Sequence, residues 1–407
     1  VPESTSLPEA ASGARLLVPP PPIAQAESNW PLLTVSRGFF EGVAPVGDQK
    51  TTLSAATVDI DTTDGGLVLV DEGGKGATGA EGEEGYFVPP PRGVPPTQSW
   101  TQASALVADH VMAGSFESAA RLLNDQLGIV NVEPFRSLFM VLHARSRTSF
   151  TALPSLPSLP SYPSRTPPAL AAGRPPPQLP AVPLKLNDLV GRLQVCYQLT
   201  TAGKFSESVD RFRGLLLSIP FLIVDSKQEL VEVQELLTIC REYINGLQLE
   251  IARKELAKTP ANAIRVAEMA AYFTHVQVQP AHQVLTLRTA LNICFKLKCY
   301  RTASSLARRL LDLGPKPEIA NQARKILQVC DKNPTDEQQL KYDEHNPFSV
   351  CGISYTPIYR GKPEEKCPFC QVSFCPEHKG KLCPVCTVAE VGKDGSGLRI
   401  SAHQGRS

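Results

Sequence analysis

The 407-residue sequence has no charge imbalance: 41 lysines and arginines face 40 aspartates and glutamates, for a formal net charge of +1. That balance gives no long-range pull on nucleic acid or an anionic membrane, which excludes a purely electrostatic partner. A long apolar run is also missing. The most apolar stretch, GLLLSIPFLIV at 214–224, is too short to span a bilayer and contains Pro220, so it is expected as a buried helix end and its turn. The opening VPESTSLPEAASGARLLVPPPP has neither the basic start nor the apolar core of a secretory signal. It begins with Val1 rather than Met, as expected of a piece of a longer chain. Catalytic motifs are absent as well. The lysine of every Gly-Lys pair (Lys75, Lys204, Lys362, Lys381, Lys393) lacks the Ser or Thr that completes a phosphate loop, and neither HExxH nor GxSxG occurs. No small-molecule substrate is expected. His110, His143, His275 and His282 are scattered through helical segments and are expected to be structural.

What the chain has in quantity is proline and glycine, 37 and 28 residues, unevenly placed. Residues 1–100 are Pro/Gly-rich and expected to be largely flexible. Within them, ATVDIDTTDGGLVLVDEG reads as two alternating strands around an Asp64-Gly65-Gly66 turn, a hairpin at 56–70. Residues 101–150 read as a helical segment, with Phe116, Ala119, Ala120, Leu123 and Leu127 on one face. A Pro-rich linker follows at 151–185, read as a spacer in preference to an SH3-type ligand. Residues 186–333 form the longest helical stretch. Here Leu230, Val233, Leu237, Cys240, Ile244, Leu247 and Ile251 recur at three- and four-residue steps, predicting one long amphipathic helix. It is expected to pack on neighbouring helices rather than in a coiled coil between subunits, with Cys240 and Cys294 as buried hydrophobes.

Three segments, AGSFESAARLL, AGKFSESVDRF and LKCYRTASSLA, share an aromatic residue, a small residue three positions on and an apolar residue four further. They lie about 90 residues apart, against roughly 34 for a tetratricopeptide period, so a regular array is excluded and irregular stacked hairpins are expected. The fold class is therefore mainly α: a low-complexity N-terminal region, solenoid-like helical hairpins, and a small β-rich, zinc-ribbon-like module at 334–407. In that module, 348–361 and 386–401 read as strands.

Between those strands lies KCPFCQVSFCPEHKGKLCPVC (366–386). Cys367-x2-Cys370, Cys375-x2-His378 and Cys383-x2-Cys386 are three pairs of candidate metal ligands, and thiolate with imidazole suits tetrahedral zinc. One structural ion needs four ligands. The two CPxC pairs have the spacing of zinc-ribbon knuckles, which favours Cys367, Cys370, Cys383 and Cys386 as one set. Cys375 and His378 either replace one pair or begin a second site, to which Cys351 could contribute. An odd count of eleven cysteines used this way fits a reducing compartment, the cytosol or a membrane's cytosolic face. CPFC also occurs in glutaredoxin-like enzymes, but Cys375 follows too soon for the helix such a site needs. A nucleic-acid finger would need a basic face that the lysines here do not make. A ubiquitin-ligase-like finger, or another zinc-dependent accessory on a helical scaffold, is the alternative to a structural clip. The ligase cross-brace would need eight ligands.

The chain also resembles a known family, the C-terminal region of the alpha subunit of coatomer, the COPI vesicle coat. The resemblance runs through NWPLLTVSRGFFEG, DHVMAGSFESAARLLNDQLG, LKLNDLVGRLQVCYQLTTAGKF, CREYINGL, EMAAYFTH, LRTALNICFKLK, ARRLLDLGPKPE, KNPTDEQQLKYDEHNPFSVCGISYTPIYRGKP and VGKDGSGLRIS. It implies a non-enzymatic coat component on the cytosolic face of Golgi membranes and COPI-coated vesicles. Membrane association would be peripheral, through the assembled coat. It also implies partners: the coatomer epsilon subunit, a tetratricopeptide protein that curls around a β-hairpin, and the other coatomer subunits. Candidate hairpins are 386–401, 348–358 and 56–70.

Overall fold

In the computed structural model, the residues described are 84–85, 93–150, 159–165, 178–182, 184–257, 259–333 and 335–401. The hairpin expected at 56–70 lies outside them. The chain divides into two compact units, one comprising 1–105, 109–115 and 140–183, the other 106–108, 116–139 and 184–407. Eleven α-helices occur among the described residues.

In the first unit, parts of the proline-rich tract pair as short strands. Strand β1 (Glu84–Gly85) joins β4 (Ser164–Arg165), which joins β5 (Leu179–Pro180), while β2 (Thr148–Phe150) pairs with β3 (Leu159–Ser161); all pairings are antiparallel. Helix α1 (Pro96–Ala103) opens on a proline and buries Trp100, whose ring meets Tyr162 edge-on at 5.6 Å. Arg165 fixes the tract. Its guanidinium donates to both oxygens of buried Asp109, on α2 (Val107–Met112), at 2.9 and 3.0 Å, and to the Pro180 carbonyl at 2.8 Å. His110 and His143 hydrogen-bond the carbonyls of Ser104 and Met112 at 2.9 and 3.2 Å, the structural role expected.

The second unit holds α3 (Phe116–Leu127), then α5 (Leu186–Thr201), α6 (Phe205–Ser218), α7 (Lys227–Glu255), α8 (Pro260–Phe273), α9 (Pro280–Lys296), α10 (Tyr300–Asp312) and α11 (Pro317–Lys332); α4 (Arg136–Arg145) precedes α5. From α5 onward each helix packs on the next, an irregular series of hairpins. The recurring signature marks helix starts. Phe116, Phe205 and Tyr300 each open a helix, and the following Ala119, Ser208 and Ala303, then Leu123, Phe212 and Ala307, are all fully buried. Small side chains there let neighbouring helices approach closely.

Helix α7 begins with a reciprocal cap: the Glu229 amide donates to Ser226 Oγ at 3.1 Å, and Ser226 N–H donates to the Glu229 carboxylate at 3.3 Å. Its predicted stripe is only part of what it buries. Val233, Cys240, Ile244 and Leu247 are buried, but so are Leu236, Tyr243, Gly246 and Leu249, because α6 and α8 cover it on several sides. Packing on its own neighbours therefore accounts for the helix, as expected. Burial pushes the Cys294 thiol up to about 12 and Cys240 higher still, so both behave as buried hydrophobes. The 214–224 run ends α6 and turns through a 3-10 segment, Ile219–Phe221, fully buried. No described helix is long and apolar enough to cross a membrane.

At the C-terminal end, β6 (Phe348–Val350) and β7 (Pro357–Tyr359) form the expected antiparallel hairpin, and β8 (Glu365–Lys366) pairs with β9 (Ser373–Phe374). The strand expected at 386–401 is not there. Residues 389 and 390 make only isolated bridges, and the segment's later amides cap α3 instead. Ser396 N–H donates to the Asp125 carbonyl at 3.0 Å and Gly397 N–H to Gln126 at 2.9 Å. A helix C-terminus leaves four carbonyls without partners, and these bonds fill two of them. Gly395 permits the approach, since a Cβ there would lie 2.5 Å from the Gln126 oxygen.

Two outcomes follow. Replacing Arg165 with Ala leaves Asp109 buried without its cation and is expected to cost about 3–5 kcal/mol in urea unfolding followed by tryptophan fluorescence, with Arg165→Met plus Asp109→Asn milder. His275, hydrogen-bonded to Tyr342 Oη at 2.6 Å, is lowered to about 4 by burial and by Arg309 beside it. The unfolded chain takes up that proton near pH 6.5, the folded chain only near 4, so this contribution is intact above 6.5 and lost as pH falls towards 4. His275→Gln is expected to flatten the fall in melting temperature across that window; an unchanged slope refutes the assignment.

Candidate metal centre

Two short turns bring four sulfurs together. In each Cys-x2-Cys turn the amide of the fifth residue bonds back to the first cysteine's carbonyl: Gln371 to Cys367 at 3.0 Å, Thr387 to Cys383 at 2.8 Å. Closing the turn so tightly puts Gln371 and Thr387 in the left-handed region, at φ 63° and 64°. The first turn also aims the Cys370 amide at Cys367 Sγ, 3.5 Å away.

The Sγ atoms of Cys367, Cys370, Cys383 and Cys386 all lie within 4.8 Å of one another, and all four residues are fully buried. Cys367 and Cys386 sulfurs are 3.8 Å apart, Cys370 and Cys383 3.6 Å. A disulfide would need about 2.05 Å. A tetrahedral zinc with bonds of about 2.3 Å holds its sulfurs about 3.8 Å apart, close to these two spacings. Burial pushes Cys370 and Cys383 well above the ordinary thiol range. It opposes ionisation of Cys386 too, but hydrogen bonds from the other three thiols outweigh it and hold Cys386 well below that range. A cation supplies the charge that four thiolates at this depth require. The cluster can hold a metal ion.

The outward-facing carbonyls of the second turn are held by helices far away in sequence. Arg213 of α6 donates from Nε to Val385 O at 3.1 Å and from Nη2 to Pro384 O at 3.3 Å, and Gln248 of α7 donates to Pro384 O at 3.2 Å. From beyond α3, the amides of Val130 and Asn131 donate to Val388 O at 2.9 and 3.0 Å, and the Asn131 side chain to Thr387 O at 3.2 Å. Gly128 turns the chain there at φ 62°, where a Cβ would meet the Pro368 ring at 2.6 Å. Sequence reasoning missed Arg213, Gln248 and Asn131. Each is a polar side chain on or beside a helix, and no local pattern separates it from a solvated one.

Cys375 and His378 lie outside the four-sulfur cluster. Cys375 Sγ faces the hydroxyls of Ser354 and Thr356 at 3.9 and 3.8 Å, and its amide points at Cys351 Sγ at 3.5 Å. His378 ends the 3-10 turn Pro376–His378; Lys381 donates to its Nδ1 at 3.1 Å, and its Nε2 lies 3.3 Å from Glu377 Oε1. Cys367 follows β8 and leads into β9, so it does not sit at the helix start a glutaredoxin-like CPFC would occupy.

Known proteins share this sequence over most of its length. Residues 59–406 match the family described as the C-terminus of the coatomer (COPI) alpha subunit. Coatomer subunit alpha-1 of Arabidopsis thaliana is 38% identical over 98% of this chain and 35% of its own length. Coatomer subunit alpha of Dictyostelium discoideum is 38% identical over 98% of this chain and 37% of its own. A putative coatomer subunit alpha of Schizosaccharomyces pombe is 30% identical over 74% of this chain and 25% of its own. The chain thus spans about a third of the length of the first two relatives. On this family match and these identities, the chain belongs to the family formed by the C-terminal region of coatomer alpha.

Proposed function

We propose that this chain is a structural, non-enzymatic part of the COPI coat, docking the coatomer epsilon subunit and, through the assembled coat, other coatomer subunits. It acts in Golgi-to-ER and intra-Golgi transport, on the cytosolic face of Golgi membranes and COPI-coated vesicles. The observation that carries this reading is similarity across 98% of the chain to proteins named as coatomer alpha subunits. The same reading assigns Cys367, Cys370, Cys383 and Cys386 one structural zinc, supported by sulfur spacings of 3.6 and 3.8 Å in a buried cluster. Cys375 and His378 are left out of that set. The ion's part is to close both turns; the turn carbonyls then present a fixed edge to Arg213 and Gln248.

Co-expression with a tetratricopeptide-fold epsilon subunit is expected to give one stoichiometric complex on gel filtration. Independent elution of the two chains, or ubiquitin discharge by this chain, would sink the docking reading. Elemental analysis in reducing buffer is expected to find about one zinc per chain, four thiolates making one tetrahedral site; less than half a zinc counts against the ion. Zinc sites in finger peptides bind with about 10–16 kcal/mol of apparent free energy, enough to govern folding of what they hold. Cys383→Ser with Cys386→Ser is therefore expected to lose the zinc and lower the melting of the helical signal as well, since the second turn bonds α6 and α7. An unchanged helical melt would show the turn to be separable from the helices.

A further inference from the structure

The Cys351-Gly352-Ile353-Ser354 turn repeats the backbone of the two metal-site turns. The Tyr355 amide bonds back to the Cys351 carbonyl at 3.0 Å, and Tyr355 sits in the left-handed region at φ 52°. The difference is at the fourth position, where Ser354 replaces a second cysteine. Opposite this turn stands Cys375. The Gly352 amide donates to the Ser373 carbonyl at 3.2 Å, so the two chain segments run side by side. The Cys375 amide then points at Cys351 Sγ at 3.5 Å, which sets the two cysteines face to face across the paired segments. Around the pair are two neutral hydroxyls, Ser354 and Thr356, themselves bonded at 2.7 Å. Two thiols and two neutral alcohols are a poor donor set for zinc, which favours thiolate, imidazole or carboxylate.

We propose that Cys351 and Cys375 form a redox-sensitive dithiol, separate from the four-cysteine cluster, that closes to a disulfide with a small-molecule disulfide oxidant. Cys351 is fully buried and Cys375 only partly, so the oxidant enters at Cys375. The Cys375 sulfur attacks one oxidant sulfur, forming a mixed disulfide and releasing one thiol. The Cys351 sulfur then attacks the Cys375 sulfur, forming the internal bond and releasing the second thiol. Two electrons pass from the pair to the oxidant, and the two protons leave on the released thiols. The environment suits Cys351 to the resolving role. Burial opposes its ionisation, but hydrogen bonds from the Ser354 hydroxyl and the amides of Ile353, Ser354 and Cys375 outweigh it and bring the thiol below its usual range. Five other cysteines, Cys196, Cys240, Cys294, Cys299 and Cys330, are buried among the helices, away from an oxidant.

The test is non-reducing peptide mapping of the metal-loaded chain after titration with oxidised glutathione. The Cys351–Cys375 linked peptide is expected to accumulate in about tenfold excess over any other linkage while the metal content stays constant. Cys375→Ser is expected to abolish it, and Cys351→Ser to trap Cys375 as a stable glutathione adduct. If the Cys351 variant fails to fold, the wild-type and Cys375→Ser maps still decide. Linkage only among other cysteines, or a lasting glutathione adduct on wild-type Cys375, overturns the proposal. Metal content is read separately, so loss of the zinc assignment and loss of this pair are distinguishable.

Discussion

The segment after α11, residues 335–401, depends on one geometric demand: two turns sixteen residues apart in sequence, starting at Cys367 and Cys383, must bring four sulfurs to one point. Nothing else in that region is regular enough to hold it. Its longest strands, β6 and β7, have three residues each, too few for ladder bonds to stabilise a sheet alone. Once the turns close, their carbonyls face outward at fixed positions. Arg213, Gln248 and the amides after α3 then have acceptors to meet. A cluster of four side chains thereby sets the position of backbone from three separate parts of the second unit.

The helices answer with polar bonds of their own, and the two sets reinforce one another. Asn245 of α7 donates to Val350 O at 3.2 Å, and Arg265 of α8 donates to the carbonyls of Ser354 and Tyr355, both at 3.0 Å. Inside the bundle, His282 joins α9 to α7 and α5 through Tyr243 Oη at 2.7 Å and Thr201 Oγ1 at 2.8 Å. Buried polar groups are stabilising only when every member has a partner, and such bonds fix one relative position of two helices where apolar contacts tolerate several. The small residues between α8 and α11, Ala267, Ala270, Ala290, Ala303, Ala307 and Ala323, are what let those helices come close enough. Helix and turn thus meet through half-buried polar residues of α7, Asn245 and Gln248.

How much of this is readable in the sequence follows from the range of each interaction. Helix starts are legible because the aromatic-small-apolar signature is local, and Phe116, Phe205 and Tyr300 all open helices. The four cysteines are legible because CPxC is a local turn. The segment 386–401 misleads because its alternation suits a strand, while its amides are taken by the carbonyls of α3, more than 250 residues earlier. Arg165 reads as linker for the same reason: its partner Asp109 lies 56 residues away. Long-range polar pairing leaves no periodic trace, so the residues that attach the site are invisible while the residues that form it are plain.

Spacing alone also fails to tell a pair that joins the four-sulfur cluster from one that does not, and the backbone shows why. Cys367, Cys383 and Cys351 each begin a turn whose fifth residue is left-handed and bonds back to the cysteine carbonyl. That geometry turns the first and fourth side chains towards one side. Cys375-x2-His378 has the same spacing, but His378 N–H bonds to Cys375 O in a 3-10 turn, and Lys379 follows at φ −55°. Pro376 at the head of that turn favours this helical entry. Yet Pro368 and Pro384 occupy the same place in the two metal-site turns, so proline does not decide the outcome. The deciding position is the fifth, where a strained left-handed residue is sustained only if the turn's other contacts hold it there. In the two metal-site turns four sulfurs converge; in the Cys351 turn a serine stands at the fourth position, and the sulfur it leaves unmatched meets Cys375 instead.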